Sequence, residues 1–347
     1  MNNLKYVPVL RFREQERKAF SATAISNKMV PLVEIMTEKA RANGRETAIE
    51  IFAREFSSIN TFVMLDFPMY LKLQGNTSPT VRSFVTQLRV NPSERINLFK
   101  NPKLLEMNNL IPVITYDPSV SLQTGMIMTE SQELRKHYEK LAYRIFPQNF
   151  TAALIEVEKV ATEHDIIMLD IDEDPYTQSL FKTMYTQLSS VAMKTNSKKV
   201  LIRSAIPSDL TNVGLTSKQV VYSADNGLLK DYAKLGFDAF GDYVGVKKDE
   251  LTKGGKISPG YLMYSWKQNC YYGFNGIIDQ PATFETMVLP DTLSSTVWAE
   301  YGETHKKNCY GCQSLIQIDK GNKPGKGQAE WKGFAFGHYL YTMEEFL

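Results

Sequence analysis

Short apolar runs recur along this chain, each ending in a charged or polar residue and each followed by a stretch with helical spacing. They cover residues 7–12, 29–36, 62–68, 111–117, 142–147, 166–172, 200–206 and 237–243. Strands buried on both faces read as continuous apolar segments, and their alternation with amphipathic stretches marks repeated βα units in a parallel sheet. Eight such units predict an α/β fold, a (β/α)8 TIM-like barrel over residues 1–245. Helices are predicted over 14–27, 45–59, 81–90 with 94–107, 129–141, 149–164, 175–193 and 226–235. Thr129 and Gln132 are spaced as a capping box, and Gly236 suits a helix C-terminus. For the fifth unit, 152–157 competes as the strand, but its apolar residues recur at helical spacing, so 142–147 is preferred. A short extra strand is expected at 219–223, between the seventh and eighth units.

The pattern changes after Gly245. Lys247, Lys248, Lys253, Gly254, Gly255, Lys256 and Pro259 have the composition of an exposed connection. Beyond them lie Tyr261, Tyr264, Trp266, Tyr271, Tyr272 and Phe274, then Trp298, Tyr301, Tyr310, Trp331, Phe334 and Tyr339, so 246–347 reads as a separate C-terminal module rich in aromatics.

With 347 residues the chain is long enough for a barrel of about 250 residues plus such a module. A net charge of +2 sets up no strong global field, so any affinity for nucleic acid would need a local patch. Three cysteines argue against a disulfide framework and for a reducing compartment. The N-terminus lacks the apolar core of a signal peptide and no run is long enough to span a bilayer, so a cytoplasmic protein with no membrane partner is expected.

Within the module, His305-x3-Cys309-x2-Cys312 is followed by His338. Two thiolates two residues apart can reach one tetrahedral ion, imidazoles can supply the other corners, and soft sulfur with nitrogen selects zinc. Cys270 is a spare ligand. The plain alternative is a pair of free thiols on a turn at Gly311 beside a packed histidine. Four protein ligands would make a closed, structural zinc site, and its loss is expected to unfold the module while leaving much of the barrel intact.

Barrel chemistry gathers at strand carboxyl ends. Those positions hold Arg11, Glu34, Asp66, Asp117, Arg144, Asp170, Asp172, Arg203, Asp242 and the adjoining Tyr243. The carboxylates could hold Mg²⁺ or Mn²⁺ and clamp a phosphate, or they could cap helices and pair with the arginines. No histidine falls at a strand end; His137 and His164 fall in predicted helices. Phosphate loops, dinucleotide fingerprints and a nucleophile elbow are absent from the sequence, which disfavours those chemistries. Lysines 306, 307, 320, 323, 326 and 332 are interleaved with Tyr310, Trp331 and Phe334, a pattern that could contact single-stranded nucleic acid or simply cover an aromatic core.

Several segments carry a family resemblance. Tyr6-Val-Pro-Val-Leu-Arg-Phe-Arg-Glu-Gln-Glu-Arg-Lys-Ala-Phe20, Pro31-Leu-Val-Glu-Ile35 and Phe240-Gly-Asp-Tyr-Val-Gly245 resemble the Beta-protein family, barrel-like proteins of phages and bacterial defence regions. Asn308-Cys-Tyr-Gly-Cys312 and His338-Tyr-Leu-Tyr-Thr-Met343 look like the subgroup encoded beside a restriction-endonuclease-like protein. The resemblance implies a role in anti-phage defence with that nuclease as partner from the same operon, and its matching positions include Arg11, Glu34 and Gly241-Asp242-Tyr243. Two functions are consistent with these readings. One is a recognition or regulatory subunit whose mouth binds a ligand and whose module docks the nuclease. The other is a metal-dependent phosphodiesterase or lyase that works at the acidic mouth.

Overall fold

The computed structural model describes residues 3–38, 46–75, 77–248 and 256–347. Each of the eight apolar runs overlaps one strand of a closed parallel barrel, three of the strands starting one or two residues earlier than predicted. These are β1 Tyr6–Arg11, β2 Leu32–Glu34, β3 Val63–Asp66, β4 Leu110–Ile114, β5 Ala142–Ile145, β6 Ile166–Asp170 and β7 Lys198–Ile202. A short strand β8, Gln219–Val220, intervenes before the last barrel strand, β9 Ala239–Asp242. β9 pairs with β7 on one side and with β1 on the other, where Tyr6 lies opposite Phe240, and this closes the ring.

Side-chain alternation decides what the barrel encloses. Val7, Val9, Leu32, Met64, Ile111, Val113, Met168, Val200, Ile202 and Ala239 form one buried cluster inside the barrel. The same parity continues to Arg11, Glu34, Asp66, Arg144, Asp170 and Tyr243, so these form the roof of that core. Gly241 lies on the inner face as well, where a Cβ would come within 2.9 Å of the Val7 carbonyl oxygen.

The helices follow the predicted alternation with some changes. The fifth unit is resolved in favour of β5 and helix Phe150–Val160. Helix Ala48–Phe56 starts at a Thr47–Glu50 capping box, while the predicted start at Arg45 lies outside the described residues. The helix expected from Thr129 instead runs Met126–Leu134. Its N-terminal amides are met from another helix: the Glu156 carboxylate accepts from the N–H of Gly125, Ile127 and Met128, so Thr129 has no cap to make. His137 and His164 lie in turns just beyond helix ends. The helix predicted over 226–235 is only Leu228–Asp231, and Gly236, with φ of +85°, closes the turns that follow it.

In the C-terminal part, β10 Gly260–Ser265 and β11 Cys270–Asn275 form an antiparallel hairpin, and β8 adds to it rather than to the barrel. Of the predicted connection, Lys253, Gly254 and Gly255 lie outside the described residues. The long final helix Gln328–Phe346 lies against helix Glu14–Ser21, with Gly333 so close to Gln15 that a Cβ would sit 3.2 Å from it. Phe336, Tyr339, Leu340 and Met343 of that helix join the same hydrophobic core as the barrel strands and their covering helices. Tyr264 and Tyr271 of the hairpin join that core too, whereas Tyr261, Tyr272, Phe274, Phe284 and Tyr301, with Cys309 and Cys312, form a second core around Trp331 and Phe334. Among the described residues, no helix is long and apolar enough to cross a membrane.

Candidate functional site

Arg144, at the end of β5, stands at the centre of the barrel roof. Its guanidinium donates to Asp170 Oδ2 at 2.6 and 3.0 Å, to Glu34 Oε1 at 2.7 Å, to Asp66 Oδ2 at 3.3 Å and to the Tyr243 hydroxyl at 3.0 Å. Glu34 also accepts from Tyr70 and from Tyr243, and lies 3.4 Å from Arg11 Nε. Behind Asp66, Arg95 approaches to 3.6 Å and anchors itself on Glu130 and on the carbonyls of Val113 and Thr115. All of these charged groups are buried. Isolated charges could not be held there, whereas paired ones can, although Glu34 Oε2, Asp66 Oδ1 and Glu130 Oε1 are met by arginine charge alone and accept no hydrogen bond among the described residues.

The environment divides the carboxylates. Burial would raise the Glu34 pKa, but Arg144, Arg11 and the Tyr70 hydrogen bond outweigh it and hold Glu34 below the ordinary carboxylate range. Burial dominates at Asp66 despite Arg144 and Arg95, and lifts it to about 6; Glu130 rises to about 7 for the same reason. A carboxyl whose pKa is higher folded than unfolded stabilises the fold fully below its unfolded value, and that contribution is lost as pH rises through the folded value. Asp66 should therefore lower the unfolding free energy by up to about 3 kcal/mol as pH rises from about 4 through 6. Urea unfolding at pH 4.5 and 7 is expected to show this fall in the native chain and a shallower one in Asp66→Asn; identical slopes would refute the assignment.

Above the roof lies a cavity of about 740 Å³ at the strand carboxyl ends, lined by Arg11, Tyr70, Lys72, Asp117, Phe146, Asp172 and Lys248, among others. Several of its charges are paired. Asp117 meets Arg89 at 2.9 Å, and Asp172 takes Lys248 at 2.8 Å and Lys72 at 3.4 Å. The Lys248 ammonium lies over the rings of Tyr70 and Tyr243.

Two of the expected mouth residues face elsewhere. Arg203 and Asp242 have the opposite parity to the inward set, and a shift of one residue turns a strand side chain to the other face. Arg203 binds the carbonyls of Asp174 and Asp225 and pairs with the Asp225 carboxylate, tying neighbouring loops together. Asp242 turns toward the final helix, where it accepts from Tyr6 at 2.6 Å, Tyr339 at 2.5 Å and the Val244 N–H at 2.8 Å. The last bond holds Val244 at φ of +53°, an unusual value for a β-branched residue, so Asp242 shapes the turn that carries Tyr243. Sequence reading missed Tyr70, Arg95 and Lys248. Tyr70 lies four residues past β3, and Lys248 looked like linker charge.

A second site lies where helix Tyr310–Asp319 meets the final helix. His305, Cys309, Cys312 and His338 are all buried, and their ligand atoms lie within 4.8 Å of one another. Cys309 caps helix Tyr310–Asp319, its sulfur accepting from the Cys312 N–H. Gly311 permits the approach of His338, since a Cβ there would collide with the Phe334 carbonyl oxygen. His338 Nδ1 lies 3.7 and 3.6 Å from the two sulfurs. Tetrahedral bonds of about 2.3 Å to sulfur and about 2.0–2.1 Å to nitrogen give an edge of about 3.6 Å. The donor set therefore fits a metal ion. Burial disfavours a Cys309 thiolate, yet the surrounding Cys312, His305 and His338 side chains hold its pKa below the ordinary thiol value. Cys270 lies apart on β11 beside Gln268.

The basic and aromatic cluster does not form a stacking platform, because Trp331 and Phe334 are buried in the second core.

A family model described as Beta protein matches residues 6–344. No curated protein matches the chain.

Proposed function

The chain belongs to the Beta protein family, and on that premise we propose that it is a cytoplasmic recognition or regulatory subunit of anti-phage defence that acts with a restriction-endonuclease-like partner. In this reading the barrel mouth binds a ligand and the C-terminal part, held by zinc at His305, Cys309, Cys312 and His338, docks the nuclease. The partnership and the defence role come from the resemblance of the segments at 308–312 and 338–343.

The observation that carries the non-catalytic reading is the position of Arg144. Mg²⁺ or Mn²⁺ catalysis needs carboxylate oxygens free to converge on an ion. Here a single guanidinium holds Glu34, Asp66 and Asp170 together, in effect taking the place that such a cation would occupy. The mouth has no histidine to serve as a general base.

The purified chain is expected to leave DNA, RNA and small phosphodiesters intact with Mg²⁺ or Mn²⁺ present, and nuclease activity is expected only when the neighbouring nuclease is added. Metal-dependent turnover by the chain alone, abolished by Glu34→Gln or Asp170→Asn, would favour the phosphodiesterase or lyase instead.

A further inference from the structure

The metal cluster has an outer layer that sets which nitrogen each histidine can offer. His338 Nε2 lies 3.0 Å from the Tyr264 carbonyl oxygen. A carbonyl only accepts, so Nε2 carries the proton and Nδ1, the atom beside both sulfurs, keeps its lone pair. His305 is arranged with the opposite nitrogen. Its Nδ1 lies 2.5 Å from Glu345 Oε2 in the last turn of the final helix. Its Nε2 is buried with no hydrogen-bond partner, and His305 as a residue is only 3% exposed. An orphaned buried nitrogen is expensive unless something meets it, and a metal ion bound together with the thiolates of Cys309 and Cys312 would do so. The rings are also held from the side: Tyr301 packs 4.2 Å from His305 and 4.7 Å from His338, and its hydroxyl donates to the same Tyr264 carbonyl.

We propose that Glu345 is a positioning residue for the metal centre: its carboxylate, accepting from His305 Nδ1, presents His305 Nε2 as the fourth ligand. The proposal rests on the zinc reading of the cluster and adds a residue that the ligand spacing does not contain. A carboxylate behind a ligating imidazole fixes its tautomer and raises its basicity, and loss of such a partner typically weakens metal affinity by about 10- to 100-fold. Glu344 is the natural control, since it accepts from Ser26 and does not touch the cluster.

The test uses the full chain, with Zn²⁺ affinity measured by competition against a chromophoric chelator and Co²⁺ absorption reporting the ligand set. The native chain and Glu344→Gln should bind one ion with a tetrahedral two-sulfur, two-nitrogen spectrum. Glu345→Ala should bind about 10- to 100-fold more weakly. Glu345→Gln, which keeps an acceptor of the same shape but not the charge, should fall between and decides the matter if the alanine variant does not fold. Equal Zn²⁺ affinity and Co²⁺ spectra in native chain and Glu345→Gln, with Glu345→Ala also unchanged or unfolded, would overturn the role of Glu345 while leaving the metal site standing. A native chain that takes up neither ion would overturn the metal reading and the proposal together.

Discussion

Stripping metal from the loaded protein, or replacing Cys312 by Ser, is expected to lower the stability of the barrel and the C-terminal part together, in one cooperative transition. Structural zinc supplies about 10–16 kcal/mol of apparent binding free energy in small zinc peptides, comparable to the whole stability of an ordinary domain. From the sequence, the damage would be confined to residues 246–347. The tertiary structure changes that expectation, because the helix that carries His338 also carries Phe336, Tyr339, Leu340 and Met343 into the barrel's own core. Tyr339, the next residue after His338, donates to Asp242 at the end of β9, and a side chain at Gly245 would run into its ring. A helix loosened at the metal therefore releases the closing strand of the barrel. Thermal melts read by near-ultraviolet circular dichroism, with and without chelator, are the measurement. An unmoved transition would refute the structural metal, and an early separate transition with an unchanged barrel would refute the shared core.

Arg144→Met is expected to be the most damaging single change in the mouth. The guanidinium is fully buried and serves three buried carboxylates at once. Removing one partner of a buried ion pair costs about 3–5 kcal/mol because the remaining charge is left without compensation. Here Glu34, Asp66 and Asp170 would face one another, so at least that much is expected, together with poor accumulation of soluble protein. Asp66 can relieve part of the repulsion by taking a proton, given its raised pKa of about 6. Acid pH should thus partly rescue the variant, and so should adding Glu34→Gln and Asp170→Asn. Urea unfolding of the single and triple variants at pH 5 and 7.5 measures both effects. A single variant as stable as the native chain would show that the network is not what holds the mouth.

The eight strands were legible in the sequence because a parallel barrel buries both faces of every strand, and continuous apolar runs are its direct consequence. The pairing of Cys309 with Cys312 was legible for a similar reason, since two residues of spacing bring both sulfurs to one helix start. Beyond the strand ends, sequence lost its hold, because direction there depends on parity and not on residue type. Asp170 and Asp242 are both carboxylates that end strands, yet one enters the ion network and the other binds Tyr6 and Tyr339 outside the barrel. Tyr70 and Arg95 reach the network from loop and helix positions that no local pattern marks. Lys248 looked like linker charge until two tyrosine rings and Asp172 enclosed it. The placement of His338 was the largest decision left to tertiary structure. Its spacing from Cys312 fits no short motif, and only the packing of the final helix across Gly311 brings its nitrogen to the sulfurs. Local sequence determined which segments are strands and helices, since backbone geometry and burial act over a few residues. Which charges meet, and which histidine nitrogen faces the cluster, depended on contacts between segments tens to hundreds of residues apart.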